Sequence, residues 1–210
     1  MEQAKRREQI VKAAIETIAA LGYAQASIGQ ITKRAGIGKG VFTYHFESKD
    51  DLMEQIVHEV YGAAARFMQP RIESQTTPGR MLEAYIESNL AFMGAHRDYI
   101  IALIEVVSNA RTPDGQLRFA GSSDDPILAP LIEILKWGQE TGEFKPFTER
   151  SARITATAIR HVIDGVAGRL AANPDFDIPG FSEELVSLFL SAVRNPLAAT
   201  EPTREGGQLS

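Results

Sequence analysis

Residues 29–52 read GQITKRAGIGKGVFTYHFESKDDL. Just ahead of them, Ser27 offers a hydroxyl N-cap with Gln30 three residues on, a capping-box spacing that predicts a short helix through Ala35. Gly36 then supplies a left-handed turn. A second short helix follows from Lys39 to Phe46, and Ser48 with Asp51 three residues later restarts the chain into a longer one. Two short helices joined by AGIG at 35–38 make a helix-turn-helix pattern. Ile31, Ile37, Phe42 and Phe46 fall where a three-helix core needs apolar groups, which leaves Lys39, Gly40, Thr43, Tyr44 and His45 on the opposite face.

Working outward, Ile10, Val11, Ala14, Ile15 and Ile18 recur at helical spacing and predict a supporting helix from Lys5 to Leu21, ended by Gly22. Downstream, helices are predicted from Lys49 until Pro70 closes the run, from Pro78 to Met93, and from Arg97 to Ala110. Residues 111–126, RTPDGQLRFAGSSDDP, collect Gly, Pro, Ser and Asp as a long loop, either a mobile entrance or a tolerated insertion. Helices resume over Ile127 to Thr141, Thr148 to Ala172 and Phe181 to Val193. The tail, NPLAATEPTREGGQLS, has too few apolar residues to fold. Nothing alternates like a set of strands, so the fold class is all-α.

Composition narrows the function. The 210 residues allow one or two domains, at about 100 to 200 residues each. Without cysteine there is neither a disulfide framework nor a thiolate metal site, and the opening residues MEQAKRREQI show no secretory or transit pattern. The most apolar run, YIIALIEVV at 99–107, is short and broken by Glu105, so no membrane span is expected. A cytoplasmic protein fits. Net charge is −5 overall, yet residues 1–50 stand at +3 and the remainder at −8. A basic first quarter on an acidic body points to a polyanion partner at one end.

In that setting the polar face of the second short helix can enter a major groove with its N-terminal end leading. Gly40 lets backbone approach DNA closely, and Tyr44 and His45 can contact phosphate or sugar. Lys49 sits at the start of the next helix, where its charge and the exposed N–H groups make an anion site, and Ser27 does the same one helix earlier.

The order of residues in GIGKGVFTYHFESKDDL, 36–52, resembles the signature of the tetracycline-repressor (TetR) family of bacterial regulators: a small turn, Lys-Gly, an apolar pair, two aromatic or His positions, Phe, a polar residue and Ser-Lys. The likeness extends over residues 8–56. It implies an N-terminal helix-turn-helix domain, 1–48, and a helical effector-binding and dimerisation domain, 49–195, with 196–210 as a disordered tail. It further implies DNA contacts by Thr43, Tyr44, His45 and Lys49, with Ser27 and Lys39 on phosphates. Three positions depart from the pattern. Gly38 replaces a usual Ser or Thr cap, Thr43 a frequent aromatic, and Val41 is unusual enough to offer thymine a methyl surface in place of a hydrogen bond.

The second half resembles the family by layout. WGQETGEF at 137–144, followed by a helix containing HVIDGVAGRL, matches its penultimate segment. Ile154, Ala158, Val162 and Gly165, with Leu185, Leu188, Phe189 and Ala192, form two stripes that either join the core or pack a homodimer as a four-helix bundle. For an effector pocket the expected residues are Tyr85, Asn89, Phe92, Glu105, Asn109, Trp137 and His161. Glu105 stands out among them, because a carboxylate inside IIALIEVV must face solvent or find a partner.

An enzyme is the rival class, but no HExxH, GxSxG, P-loop or dinucleotide fingerprint occurs, and the four histidines lack metal-ligand spacing. No cofactor or metal is expected. The reading is a transcriptional regulator, a repressor by expectation, that binds a palindromic double-stranded DNA operator as a homodimer and is released by a small-molecule effector. A helix-turn-helix regulator controlled by a protein partner, or by nothing, is the alternative.

Overall fold

The computed structural model describes residues 2–119, 125–173 and 175–196. Among them the elements are α1 (Glu2–Leu21), α2 (Ile28–Ala35), α3 (Lys39–His45), α4 (Lys49–Glu73), α5 (Pro78–Ala95), α6 (Arg97–Asn109), α7 (Asp125–Glu140), α8 (Glu149–Ala172) and α9 (Ile178–Val193), with two isolated bridges and no strand. The protein is all-α.

Helix boundaries follow local chemistry. Ser27, Ser48, Thr77 and Thr148 cap α2, α4, α5 and α8 through side chains that accept backbone N–H groups two or three residues into the helix. Gly36, at φ 65°, closes α2 in the left-handed region that a Cβ disfavours. One boundary departs from the sequence expectation: α4 runs through Pro70 to Glu73. Proline removes one N–H and crowds the preceding turn. Here the loss is confined to one bond, the one its N–H would have made to the Arg66 carbonyl, and only Arg71, Ile72 and Glu73 follow it before the helix ends.

Ile10, Ile15, Ile18, Ile31, Phe42 and Phe46 are fully buried and join α1, α2 and α3 into a small head; Ile37 is half-buried at its edge. In the body, α5 is central and packs on α4, α7, α8 and α9, while α1 lies along α6. The head and body therefore share one core, with Leu52, Met53 and Ile56 of α4 continuing it.

Two corners lock the body. At 138, any side chain would place its Cβ 2.0 Å from the Phe144 ring, so only glycine lets the α7–α8 turn fold back on itself. Beyond it the Glu143 carboxylate accepts the Gly79 N–H at 3.1 Å, which sets a negative charge on the α5 N-terminus. The described part of the 111–126 loop is a strap. Its Arg118 fork holds Asp50 at 2.5 Å and Glu54 at 2.8 Å, both in the first turns of α4. Residues 120–124 of that loop and the tail beyond 196 lie outside the described residues.

Candidate nucleic-acid interface and effector site

The α3 surface is open. Lys39, Gly40, Val41, Thr43 and Tyr44 are all exposed, with Tyr44 at 69%, while Phe42 between them is buried and fixes the helix on the head. Gly38 makes no side-chain cap, as its lack of a hydroxyl requires. Thr43 turns its hydroxyl back onto the Gly40 carbonyl at 3.1 Å. Tyr44 meets His45 edge to face at 5.0 Å, and its phenol oxygen accepts the Gln3 amide at 2.8 Å. Ser27 is exposed beside them at the α2 terminus.

Lys49 is placed differently from a free phosphate ligand. Its ammonium donates to the Tyr23 carbonyl at 3.0 Å and lies 4.3 Å over the Tyr23 ring, and burial lowers its pKa from the usual lysine value. Tyr23 is held from the other side too, because its backbone N–H donates to Glu105 at 2.8 Å. One residue of the α1–α2 turn thus ties α4 to α6.

The seven residues expected around an effector do not converge. Tyr85, Asn89 and Phe92 are buried along one face of α5. Glu105 is spent on Tyr23, and Asn109, exposed, returns its amide to the Glu105 carbonyl at the end of α6. His161 points outward from α8. Trp137 lines an open groove, about 350 Å³, together with Ile72, Met81, Pro130, Glu133 and Ile134. Met81, Tyr85, Asn89 and Phe92 follow at helical spacing, so one face of α5 leads from this groove into the core.

Sequence reasoning missed Arg160. It pairs with Asp164 through two hydrogen bonds and donates to the Asn89 side chain at 3.3 Å, and its side chain is 15% exposed. Burial opposes its charge, but Asp164 and Tyr85 outweigh that and raise its pKa. Its place in HVIDGVAGRL's helix, flanked by Ile159 and Ile163, was the available signal.

Of the residues expected at a dimer face, Ile154 (60% exposed), Val162, Ala158 and Gly165 on α8 and Leu188 (61%) and Ala192 on α9 are exposed among the described residues. Leu185 and Phe189 are not. They are buried in the chain's own core, because α9 turns that side toward α5. Among the described residues no group of acidic or His side chains is placed to hold a metal, and no helix is long and apolar enough to cross a membrane.

An exposed recognition helix carried on a three-helix head with a buried core, joined to a helical body, is the architecture of a helix-turn-helix DNA-binding regulator. Residues 10–56 match the family described as bacterial regulatory proteins, tetR family. The chain is 32% identical to the HTH-type transcriptional regulator BetI of Pectobacterium carotovorum over 203 residues, covering 93% of this chain and 95% of that one. It is 26% identical to the fatty acid metabolism regulator protein of Bacillus subtilis over 193 residues, 89% of this chain and 95% of the other. Among solved structures, the transcriptional regulator FadR from Bacillus subtilis in complex with stearoyl-CoA superposes with a TM-score of 0.74 at 24% identity, over 89% and 99% of the two chains. The chain belongs to the tetR family of bacterial regulatory proteins, and it is a DNA-binding transcriptional regulator, not an enzyme.

Proposed function

We propose that the protein is a homodimeric repressor of the bacterial cytoplasm that binds a palindromic operator through residues 1–48 and is released when a small-molecule effector occupies the body, residues 49–195. The observation that carries the dimer is the uncovered α8–α9 face. Ile154 and Leu188 are each about three-fifths exposed there, and Gly165 and Gly168 sit mid-helix with nothing within 4 Å of where a Cβ would be. Glycine in a helix interior costs about 1 kcal/mol relative to alanine. Among the described residues no neighbour requires it, and the close approach of a partner helix would use it. A two-fold dimer then sets the α3 helices to read successive major grooves, roughly 34 to 36 Å apart.

On this reading Lys39, Gly40, Val41, Thr43, Tyr44 and His45 face the groove, with Ser27 and Lys49 beside the phosphates. The effector enters at the Trp137 groove and lies along α5 against Tyr85, Asn89 and Phe92, with Arg160 behind Asn89 as its polar end. An apolar groove with few polar groups suits a chain-bearing ligand. The stearoyl-CoA held by the Bacillus subtilis structure supports that class.

The test uses Trp137, the single tryptophan of the chain. Stearoyl-CoA is titrated into the protein on a duplex recovered by selection from random sequence. Indole emission and DNA release should move over one concentration range, and a selected site without two-fold symmetry, or release with unchanged emission, rejects the corresponding half of the reading.

A further inference from the structure

The first turns of α1 lie across the helix-turn-helix and are fixed there by several contacts. Gln9 donates to the Ala35 carbonyl at 2.8 Å, at the end of α2. Arg7 donates to the Gln55 side chain, lies 4.0 Å from Asp51, and places its guanidinium 4.7 Å from the centroid of the Phe46 ring. Gln3 is one turn before Arg7 on the same face of α1. From that position its amide reaches the Tyr44 phenol oxygen at 2.8 Å, across 41 residues of chain.

Among the described residues the Gln3 amide is the hydrogen-bond partner of the Tyr44 phenol. Tyr44 is 69% exposed, and its ring meets the neighbouring His45 edge-on. An exposed aromatic that must be fixed on binding loses rotamer freedom at that moment, a cost that a bond already holding it removes. The direction of the bond has a second consequence. A phosphate diester offers acceptors only, so a phenol can bind it only by donating. With its oxygen accepting from Gln3, Tyr44 keeps its O–H for that use, and the incoming amide polarises it toward donation.

We propose that Gln3 is a positioning residue for DNA binding: it presets Tyr44 as a phosphate donor and itself need not touch DNA. The inference rests on the reading that Tyr44 meets the DNA backbone. Because such a contact carries no base information, it raises affinity for all sequences alike.

The experiment measures binding of the full chain, as Gln3→Ala, Gln3→Glu, Tyr44→Phe and the two double variants, to a short mixed-sequence duplex at several salt concentrations. Gln3→Ala should weaken binding about three- to tenfold, the range of one net hydrogen bond. In the Tyr44→Phe background the same substitution should do nothing. Gln3→Glu can only accept, so it captures the phenol proton and should weaken binding more than alanine does. Part of that excess should vanish in the Tyr44→Phe background, the remainder being the charge of the carboxylate near phosphate. The dependence of log affinity on log salt should keep its slope in Gln3→Ala, since no cation is removed, whereas a disrupted head would lose phosphate contacts and flatten it.

Equal losses with and without the Tyr44 hydroxyl would mean that Gln3 touches DNA directly and would overturn the proposal, as would a flattened slope. If Tyr44→Phe weakens binding and Gln3→Ala does not, the positioning role alone is wrong. If Tyr44→Phe itself has no effect, the assignment of Tyr44 to the backbone fails and the inference fails with it.

Discussion

Glu105 accepts the backbone N–H of Tyr23 at 2.8 Å, joining the middle of the body's α6 to the turn that follows α1. A carboxylate in an apolar run needs a partner, and this one finds it in the head, not in a ligand cavity. Glu105→Ala leaves a part-buried N–H without its acceptor and should lower stability by about 1 to 3 kcal/mol. Glu105→Gln keeps an acceptor oxygen and should cost clearly less. Urea unfolding of the two variants distinguishes them; equal and negligible effects would show that water replaces the carboxylate without cost.

Lys49 holds the other side of Tyr23, and this bears on its role at DNA. Lys49→Met keeps the apolar stem against the ring and deletes the ammonium, whose burial is already unfavourable enough to lower its pKa. Stability should therefore change by less than about 1 kcal/mol. Binding to any duplex should weaken to the same degree, and the salt slope should fall by about one if the ammonium leaves Tyr23 for a phosphate. A slope equal to that of the wild type would show that Lys49 stays on Tyr23 in the complex.

Gly40 separates folding from function in one substitution. Among the described residues nothing lies within 4 Å of a Cβ built there, so the fold they form does not need glycine inside α3. Gly40→Ala should raise stability by about 0.5 to 1 kcal/mol through helix propensity and a less flexible unfolded chain. If the backbone approaches DNA at this point, the same methyl group should weaken binding. A variant more stable and equally tight would remove Gly40 from the interface.

The head was legible because its signals are local. Ser27, Gly36 and Ser48 act within three residues of themselves, and the helices between them are as short as their caps dictate. Phe42 and Phe46 are buried because a helix has only one face toward α1. In the body, periodicity located each helix but could not say which helix a stripe would meet. Leu185 and Leu188 sit three residues apart on α9, yet one is 4% exposed and the other 61%. The same limit hid Arg160, whose partners Asn89 and Tyr85 are about 70 positions away. It also misdirected Glu105, whose partner Tyr23 is 82 positions away. Pro70 misled for another reason: proline removes a single i→i−4 bond, and one lost bond did not end a helix that had only three residues left to run.

The uncovered face of α8 and α9 yields the last prediction. Leu188 is 61% exposed and stands outside the core cluster, so Leu188→Glu should leave the monomer's stability nearly unchanged. In a dimer the same position faces its own symmetry mate or a near neighbour, and two buried carboxylates without partners cost several kcal/mol. The variant should therefore sediment as a monomer at concentrations where the wild type is a dimer. Binding to a two-fold symmetric duplex should fall steeply, because each head then binds its half-site alone and loses the linked second contact. Binding of one head to a half-site duplex should be unaffected. A Leu188→Glu protein that remains dimeric would place the interface elsewhere on the molecule, and a monomeric wild type would leave Ile154, Leu188 and the two open glycines without an explanation.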